Sequence, residues 1–416
     1  MSEIKRGSSY ASRGSRDVTI VVLLSFFCGI GSLSILDRWL SNNVSVMIIY
    51  AVSLLCVMLL FMKHRANFIH RYAVEYLRGY LPVILICATI IFSDMPDVTA
   101  VKSLHIAVLS TLVIAVSWSL GPRHGLNCLF TASSIAVWLS IAVFLIVPDL
   151  SLTKDDRGLS VSGVFIHKNV LGFVACLSLV GAMIGLSSSS SLGASIFSAI
   201  NALLSITATV LTNSAGGWLL SISVVLAWFG LPFLIRRSKS PAHTITLLLS
   251  LLALIALAVY FGQELLLQLF GRDKTLTGRD EIWRLSLEYI RMRPIQGYGF
   301  MAFWGDGSRY SGIINQTLMF DVPHAHSMGL DLLLHLGIVG SILFIALIVR
   351  GVYATMCVLY ERQDVDGQRL LLSLVIVAIL SNLVESRLFS APCWLLIGFI
   401  SLNPKGWSRQ IFMKQA

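Results

Sequence analysis

The chain has 416 residues, of which 56% are hydrophobic and only 12% charged, with a mean hydropathy of +0.81 and a formal net charge of +10. Water cannot dissolve a surface of that composition, so a soluble chain of two or three domains is excluded. Lipid offers the backbone no hydrogen-bond partners, which leaves helices or a closed barrel, and the apolar runs are too long and too uniform for barrel strands. The class that remains is all-α: a polytopic transmembrane helical bundle.

In chain order, residues 1–17 form a polar, basic N-terminus. The apolar run after it is long and carries no small-residue cleavage site, so it reads as a retained first span and not as a signal peptide. Runs that could span are 18–36, 44–62, 79–92, 104–120, 126–147, 170–186, 192–211, 218–235, 244–261, 328–349, 370–384 and 392–402. The third, eleventh and twelfth fall short of the roughly 17 residues a span needs, and are expected to be tilted, extended by their flanks or re-entrant. About 12 spans then divide the chain into a basic N-terminus at 1–17, nine spans within 18–261, a large loop at 262–327, three spans within 328–402, and a C-terminus at 403–416.

Sorting Lys and Arg into alternate connections gives the orientation. Eighteen fall on the side of the N-terminus and six in the short loops of the other side, the remaining seven lying in a loop too long to be counted. Both termini are therefore expected in the cytoplasm. The positive balance is a topology signal and an attraction to anionic lipids, and no nucleic-acid partner is needed to explain it. All seven cysteines fall in apolar runs with no C-x-x-C spacing, as small packing residues do.

The loop at 262–327 is long enough to be functional. Thr277 with Asp280 has capping-box spacing, Ile282, Trp283, Ser286, Leu287, Tyr289 and Ile290 are expected on one face, and Pro294 ends the run. An amphipathic helix carrying Arg284, Arg291 and Arg293 is expected to lie on the outer membrane face.

Polar residues that lipid should exclude gather on the non-cytoplasmic side: His167-Lys168-Asn169, the stretch Thr212 to Gly217, Arg279, His324 and His326, and Glu385 with Arg387. His326-Ser327 is followed after nine residues by Gly337 and then Gly340. A histidine at the mouth of a span exchanges protons near neutral pH, and the two glycines are read as letting a neighbouring helix approach. An interfacial histidine above a helix-packing motif fits the same residues. Asp331 and His335 lie one turn apart on one face, roughly 6 and 12 Å below Ser327, where ionisable groups need a protein or water partner. Arg279 at the start of a helix suits a diphosphate, although a pairing with Asp280 or Glu281 fits as well. Lys168 and His167 could hold a phosphate or its sugar, or anchor the span at the interface. Gly297-Tyr298-Gly299 is a turn and not a nucleotide fingerprint. Asp364-Val365-Asp366 resembles an acidic metal motif but has no partner motif, and reads as a solvated cytoplasmic loop. No Walker loop or zinc spacing is present in the sequence.

The segments Gly163-Val164-Phe165-Ile166-His167-Lys168-Asn169-Val170-Leu171-Gly172, Gly278-Arg279 through Trp283 and Pro294 to Gly299, and His326-Ser327-x9-Gly337-x-x-Gly340 together resemble the O-antigen ligase and Wzy-type polysaccharide polymerase superfamily. With Glu385-Ser386-Arg387, the pattern is similar to the exopolysaccharide-production polymerases of rhizobia and their relatives. The resemblance covers about Gly163 to Arg387. It implies a bacterial inner-membrane glycosyltransferase with a large periplasmic loop, passing a glycan from undecaprenyl diphosphate to an acceptor glycan, with no cofactor and no metal. Acceptor glycan, anionic lipids, chain-length regulator and flippase proteins are the implied partners.

The family's loop arginine maps to Arg279 and its histidine to His326, both as catalytic residues. Lys168, His167, Asn169, Arg291, His324, Glu385 and Arg387 become candidates for binding diphosphate or glycan, with Asp331, His335, Gly337 and Gly340 in support. Relatives often carry Ser-Arg after the seventh span. This chain reads Thr212-Asn213-Ser214-Ala215-Gly216-Gly217 there, so another cation, such as Lys168, has to help or the phosphate grip differs. A ligase acting on lipid A-core is the first alternative to a polymerase. A transporter or flippase is the second, although one large loop after the ninth span breaks the two-half symmetry such folds show.

Overall fold

A computed structural model describes residues 19–29, 44–63, 73–155, 158–247, 249–250, 279–361 and 363–402. Its main helices are α1 (Thr19–Gly29), α2 (Val44–Lys63), α3 (Ala73–Ala88), α4 (Pro96–Ser119), α5 (Pro122–Ile146), α6 (Lys168–Ser188), α7 (Leu192–Leu211), α8 (Ala215–Arg237), α9 (Arg279–Met292), α10 (Arg309–Leu318), α11 (Met328–Glu361), α12 (Val365–Val384) and α13 (Ala391–Ser401). Seven of them, α4 to α8, α11 and α12, are long and apolar enough to cross a membrane. Large apolar side chains such as Leu145, Ile146, Phe229, Phe233 and Leu203 stand exposed around the bundle, as a lipid-facing surface requires. The ninth expected span lies mostly outside the described residues, as do Thr277 and both termini.

Local chemistry sets the helix ends. Pro96 and Pro122 open α4 and α5, where a missing N–H costs nothing. The side chains of Ser191, Ser214 and Asp364 accept from Ala194, Gly217 and Asp364's own third successor, Gly367, to cap α7, α8 and α12. The cap at Asp364 also explains why α12 is longer than hydropathy suggested. Its first turn, Val365 to Gln368, is polar enough to hide the start. Asp364 pairs in addition with Arg123 at 3.6 Å, so its acidic stretch is structural.

The core of the bundle is built from α6 and α13. Every residue of α13 from Pro392 to Ser401 is buried, including Trp394 and Phe399, yet at about 1.5 Å per residue it falls well short of crossing the hydrocarbon. It is an internal helix that others surround. The described residues are overwhelmingly helical, as expected, and the connection after α5 adds one short antiparallel hairpin, β1 (Leu152–Asp155) with β2 (Gly158–Val161), pairing Leu152 with Val161.

Two glycines matter for the site. Gly172 on α6 and Gly217 on α8 face each other so closely that a Cβ on either would meet the other's Cα at 3.2 Å, and this crossing brings the starts of α6 and α8 together. Gly337 plays a different part from the helix approach expected of it. It breaks α11 with φ +64°, and the backbone that occupies the space is Ile295–Gln296 of the turn after α9. Ile338 donates to the carbonyl of Pro294 and Tyr298 to that of Leu334, both at 2.8 Å, so the kink is a socket for that turn. At Gly340, among the described residues, a Cβ would meet only the side chain of Leu336 in its own helix.

Candidate active site

At one end of the bundle a cavity of about 610 Å³ opens between the starts of α6 and α9, the turn before α11 and the connection from α12 to α13. His167, Lys168, Asn169, Arg279, His324, His326, Glu385 and Arg387, scattered over 220 residues of sequence, all line it, with Ile282, Phe320, Ser386 and Ser390. The fold therefore brings together eight of the sequence candidates. Arg291 stands apart: it is exposed near the end of α9 and does not line this cavity.

Glu385 is the centre of the polar network. Its Oε2 accepts from Arg387 Nη2 at 2.6 Å and from Asn169 Nδ2 at 3.0 Å. Asn169 Oδ1 in turn accepts from Ser214 Oγ at 2.9 Å, which ties α6, the α7–α8 connection and the α12–α13 connection into one chain of hydrogen bonds. Oε1 of Glu385 faces His324 Nε2 at 3.8 Å and His326 Nδ1 at 4.0 Å. Burial alone would push this carboxyl up, but the Arg387 guanidinium, through its charge and its hydrogen bond, outweighs it and holds it below the usual carboxylate range.

The histidines are neutral by placement. Burial, reinforced by His326 and by Arg387 and Arg279, lowers His324 to about 4 against the opposite pull of Glu385. Burial and the Arg279 guanidinium lower His326 as well. Nδ1 of His324 accepts from the backbone N–H of His326 at 3.1 Å, so its proton sits on Nε2 toward Glu385. Nδ1 of His167 accepts from Asn169 N at 3.2 Å and caps α6. His326 adopts φ +50°, a conformation that a non-glycine residue holds only when its surroundings impose it.

A clamp on Ala325 sits directly before it. This residue is fully buried between the two histidines; its N–H donates to Asp331 Oδ1 at 3.1 Å and its carbonyl accepts from Trp283 Nε1 at 2.9 Å. Asp331 also accepts from Trp304 Nε1 at 2.7 Å and from Ser386 Oγ. Holding both polar atoms of the central residue fixes the peptide units on either side of it, which restrains the backbone that carries the two imidazoles. The expectation that Asp331 needs protein partners is met threefold. His335 is enclosed instead by the rings of Phe300 and Phe389, and its Nδ1 has no hydrogen-bond partner among the described residues.

The amphipathic helix exists as α9, with Ile282, Leu285 and Ser286 buried and Trp283, Tyr289 and Ile290 partly buried against the same cluster. Leu287, expected on that face, is exposed instead. Glu281 and Glu288 are engaged by Arg284 at 2.5 and 2.6 Å. Trp283, Ser214 and Ser386 lie within stretches the sequence marks, without individual roles, and Trp304 carries no mark in the sequence. The one signal available was that a tryptophan brought into a buried position must find an acceptor for its N–H.

His324, His326 and Glu385 each offer a ligand atom within 4.8 Å of the others, a spacing a metal ion could bridge. The surroundings suit an anion better. Lys168, Arg279 and Arg387 line the same cavity against one carboxylate, and the tautomer of His324 puts a proton where a ligand lone pair would be needed.

Residues 200–345 match the family model described as O-antigen ligase, a stretch that contains Arg279, His324 and His326. The chain is 24% identical over 324 residues, 75% of its length and 71% of the relative's, to a protein of Rhizobium meliloti (strain 1021) named exopolysaccharide production protein ExoQ. Motifs, helical bundle and both comparisons agree: the chain is a helical membrane protein similar to the O-antigen ligase and exopolysaccharide production proteins.

Proposed function

We propose that the protein is an inner-membrane glycosyltransferase that polymerises oligosaccharide repeat units carried on a polyprenyl diphosphate such as undecaprenyl diphosphate, at the periplasmic face. The observation that carries this is the convergence of three cations, three imidazoles and one carboxylate on a single cavity at one end of an apolar bundle. Such a cavity matches a lipid-borne diphosphate joined to a hydroxyl-rich chain. With about 12 spans and both termini cytoplasmic, as the Lys and Arg distribution favours, the cavity faces away from the cytoplasm.

In this reading an acceptor hydroxyl attacks the anomeric carbon of the donor glycan, forming the new glycosidic C–O bond as the C–O bond to the diphosphate breaks. Lys168 and Arg279 stabilise the negative charge that grows on the departing diphosphate. Arg387 supplies the guanidinium that relatives carry after the seventh span. It reaches the Ser214 region through Glu385 and Asn169. His326 takes the proton of the attacking hydroxyl, its Nδ1 side turned to Glu385 and its Nε2 left to act as base. The residues hold the donor without a nucleotide, a metal or another cofactor. An acceptor glycan, anionic lipids, and chain-length regulator and flippase proteins are its partners in this scheme.

The match to an O-antigen ligase model favours one second reading, transfer of the finished glycan to lipid A-core. Deleting the gene separates the two: single lipid-linked repeat units accumulate if the protein polymerises, and long lipid-linked polymer accumulates if it ligates. Complementation with Arg279→Ala or His326→Ala, each at normal abundance, is expected to leave the deletion phenotype in place. Full-length product from either variant would overturn the proposal.

A further inference from the structure

A second cavity, of about 310 Å³, lies outside the site just described, between the turn that precedes α4 and the start of α10. Its lining includes Asp94, Met95, Ser308, Arg309 and Tyr310. The Asp94 carboxylate is fixed from two sides, by Arg293 Nη1 at 2.8 Å and by Tyr310 Oη at 2.6 Å. A carboxylate has about four lone-pair positions, so two remain for a ligand. Tyr310 is half-buried, and its ring stacks on Phe303 with planes 4° apart and centroids at 5.5 Å, which makes it a stiff flat wall. Arg309, on the first turn of α10, is exposed and has no ion-pair or hydrogen-bond partner among the described residues.

A fixed carboxylate acceptor, a free guanidinium fork and a rigid aromatic face around one small concavity recognise a ring that has hydroxyls on its rim and C–H groups on its face. A phosphate-bearing ligand is disfavoured by Asp94. The cavity is also mechanically joined to the histidine turn, because the aromatic cluster Tyr298, Phe303 and Tyr310 continues through Trp304 to Asp331, the clamp of Ala325. Asp94 N also donates to the carbonyl of Tyr298 at 3.3 Å, which ties the turn before α4 to the same aromatic cluster.

We propose that this cavity is a separate glycan subsite, holding a sugar ring of the acceptor or product chain at a distance from the reacting centre. The inference rests on the glycan-transfer reading, but its test does not. The full-length protein in nanodiscs of one neutral phospholipid is titrated with a size ladder of oligosaccharides, released by partial acid hydrolysis of the host's own polymer. Wild type, Arg309→Ala and His326→Ala are compared. Loss of the charged hydrogen bonds of an exposed arginine is expected to weaken binding of the longer oligosaccharides by about tenfold in Arg309→Ala. His326→Ala is expected to bind them within about twofold of wild type. Equal binding by wild type and Arg309→Ala overturns the subsite, as does binding lost wholly with His326→Ala. Polymer made in cells by His326→Ala would instead overturn the catalytic reading and leave the titration to decide the subsite by itself.

Discussion

Two buried polar networks run through this bundle, one around Asn201 and one around Glu385, and they differ in how they end. Asn201 Nδ2 donates to Ser134 Oγ at 2.9 Å and to the Ser178 carbonyl at 3.4 Å, and its Oδ1 accepts from Trp138 Nε1 at 3.0 Å and Ser178 Oγ at 3.4 Å. Every polar atom of the amide is used, no charge is present, and α5, α6 and α7 are held together by it. That is a closed network, the kind that glues membrane helices. Around Glu385 the neutral links are the same kind of bond, but cations outnumber carboxylates and the surplus faces a cavity. A polar network that balances itself stabilises a bundle, whereas one left with net charge at an opening is prepared for a ligand of the opposite sign.

Substitutions separate the two. The largest effect is expected at the open network: His326→Ala should lower kcat by roughly 10²–10⁴-fold and Arg279→Ala by roughly 10²–10³-fold, with thermal stability of the purified protein little changed. A Tm loss that accounted for the missing activity would place these residues with the structural network instead. Gly337→Ala is the steric counterpart. It needs φ +64° and would drive a Cβ to 2.1 Å from the Ile295 carbonyl oxygen, so a loss of about 1–3 kcal/mol or more is expected. Increased protease cleavage after α9 is the readout.

Trp283→Phe keeps the ring packing and removes only the donor to Ala325. Roughly a tenfold fall in kcat with an altered pH profile is expected from a misdirected His326, whereas a Tm shift alone, with kcat and profile unchanged, would assign Trp283 to packing. At the closed network, Asn201→Ala should cost about 0.6–2 kcal/mol of stability while activity per folded molecule stays at wild type.

The pH dependence follows from signs. A base works deprotonated, and burial with the nearby Arg279 lowers the His326 pKa. Activity should therefore persist as pH falls through the ordinary imidazole value of roughly 6.5 and drop only below it. An acid limb at or above that value in wild type would mean that His326 is either exposed or not the titrating group.

Much of the site was legible because charge is conspicuous in an apolar chain. Lys168, Arg279, Glu385, Arg387 and the two histidines stand out against lipid-compatible surroundings, and physics leaves such groups few places to go. What stayed hidden lay where composition is ordinary. The hairpin at Leu152–Val161 sits in a connection with no strong alternation, and α12 begins in a polar turn. Trp283 and Trp304 belong to a mixed loop where tryptophans read as packing. Gly337 and Gly340 carry the spacing of a helix-crossing motif, and only the position of Ile295 reveals that a turn occupies the gap. Spacing identifies that backbone must come close; it does not identify which backbone.

The grip of Lys168 and Arg279 on a diphosphate is open to direct measurement, by titrating the detergent-purified protein with a polyprenyl diphosphate and, separately, with the matching monophosphate. Wild type is expected to prefer the diphosphate by at least tenfold, and the Lys168→Ala, Arg279→Ala double variant to lose that preference while remaining folded. A double variant that keeps the full preference would contradict the electrostatic role given to this cavity.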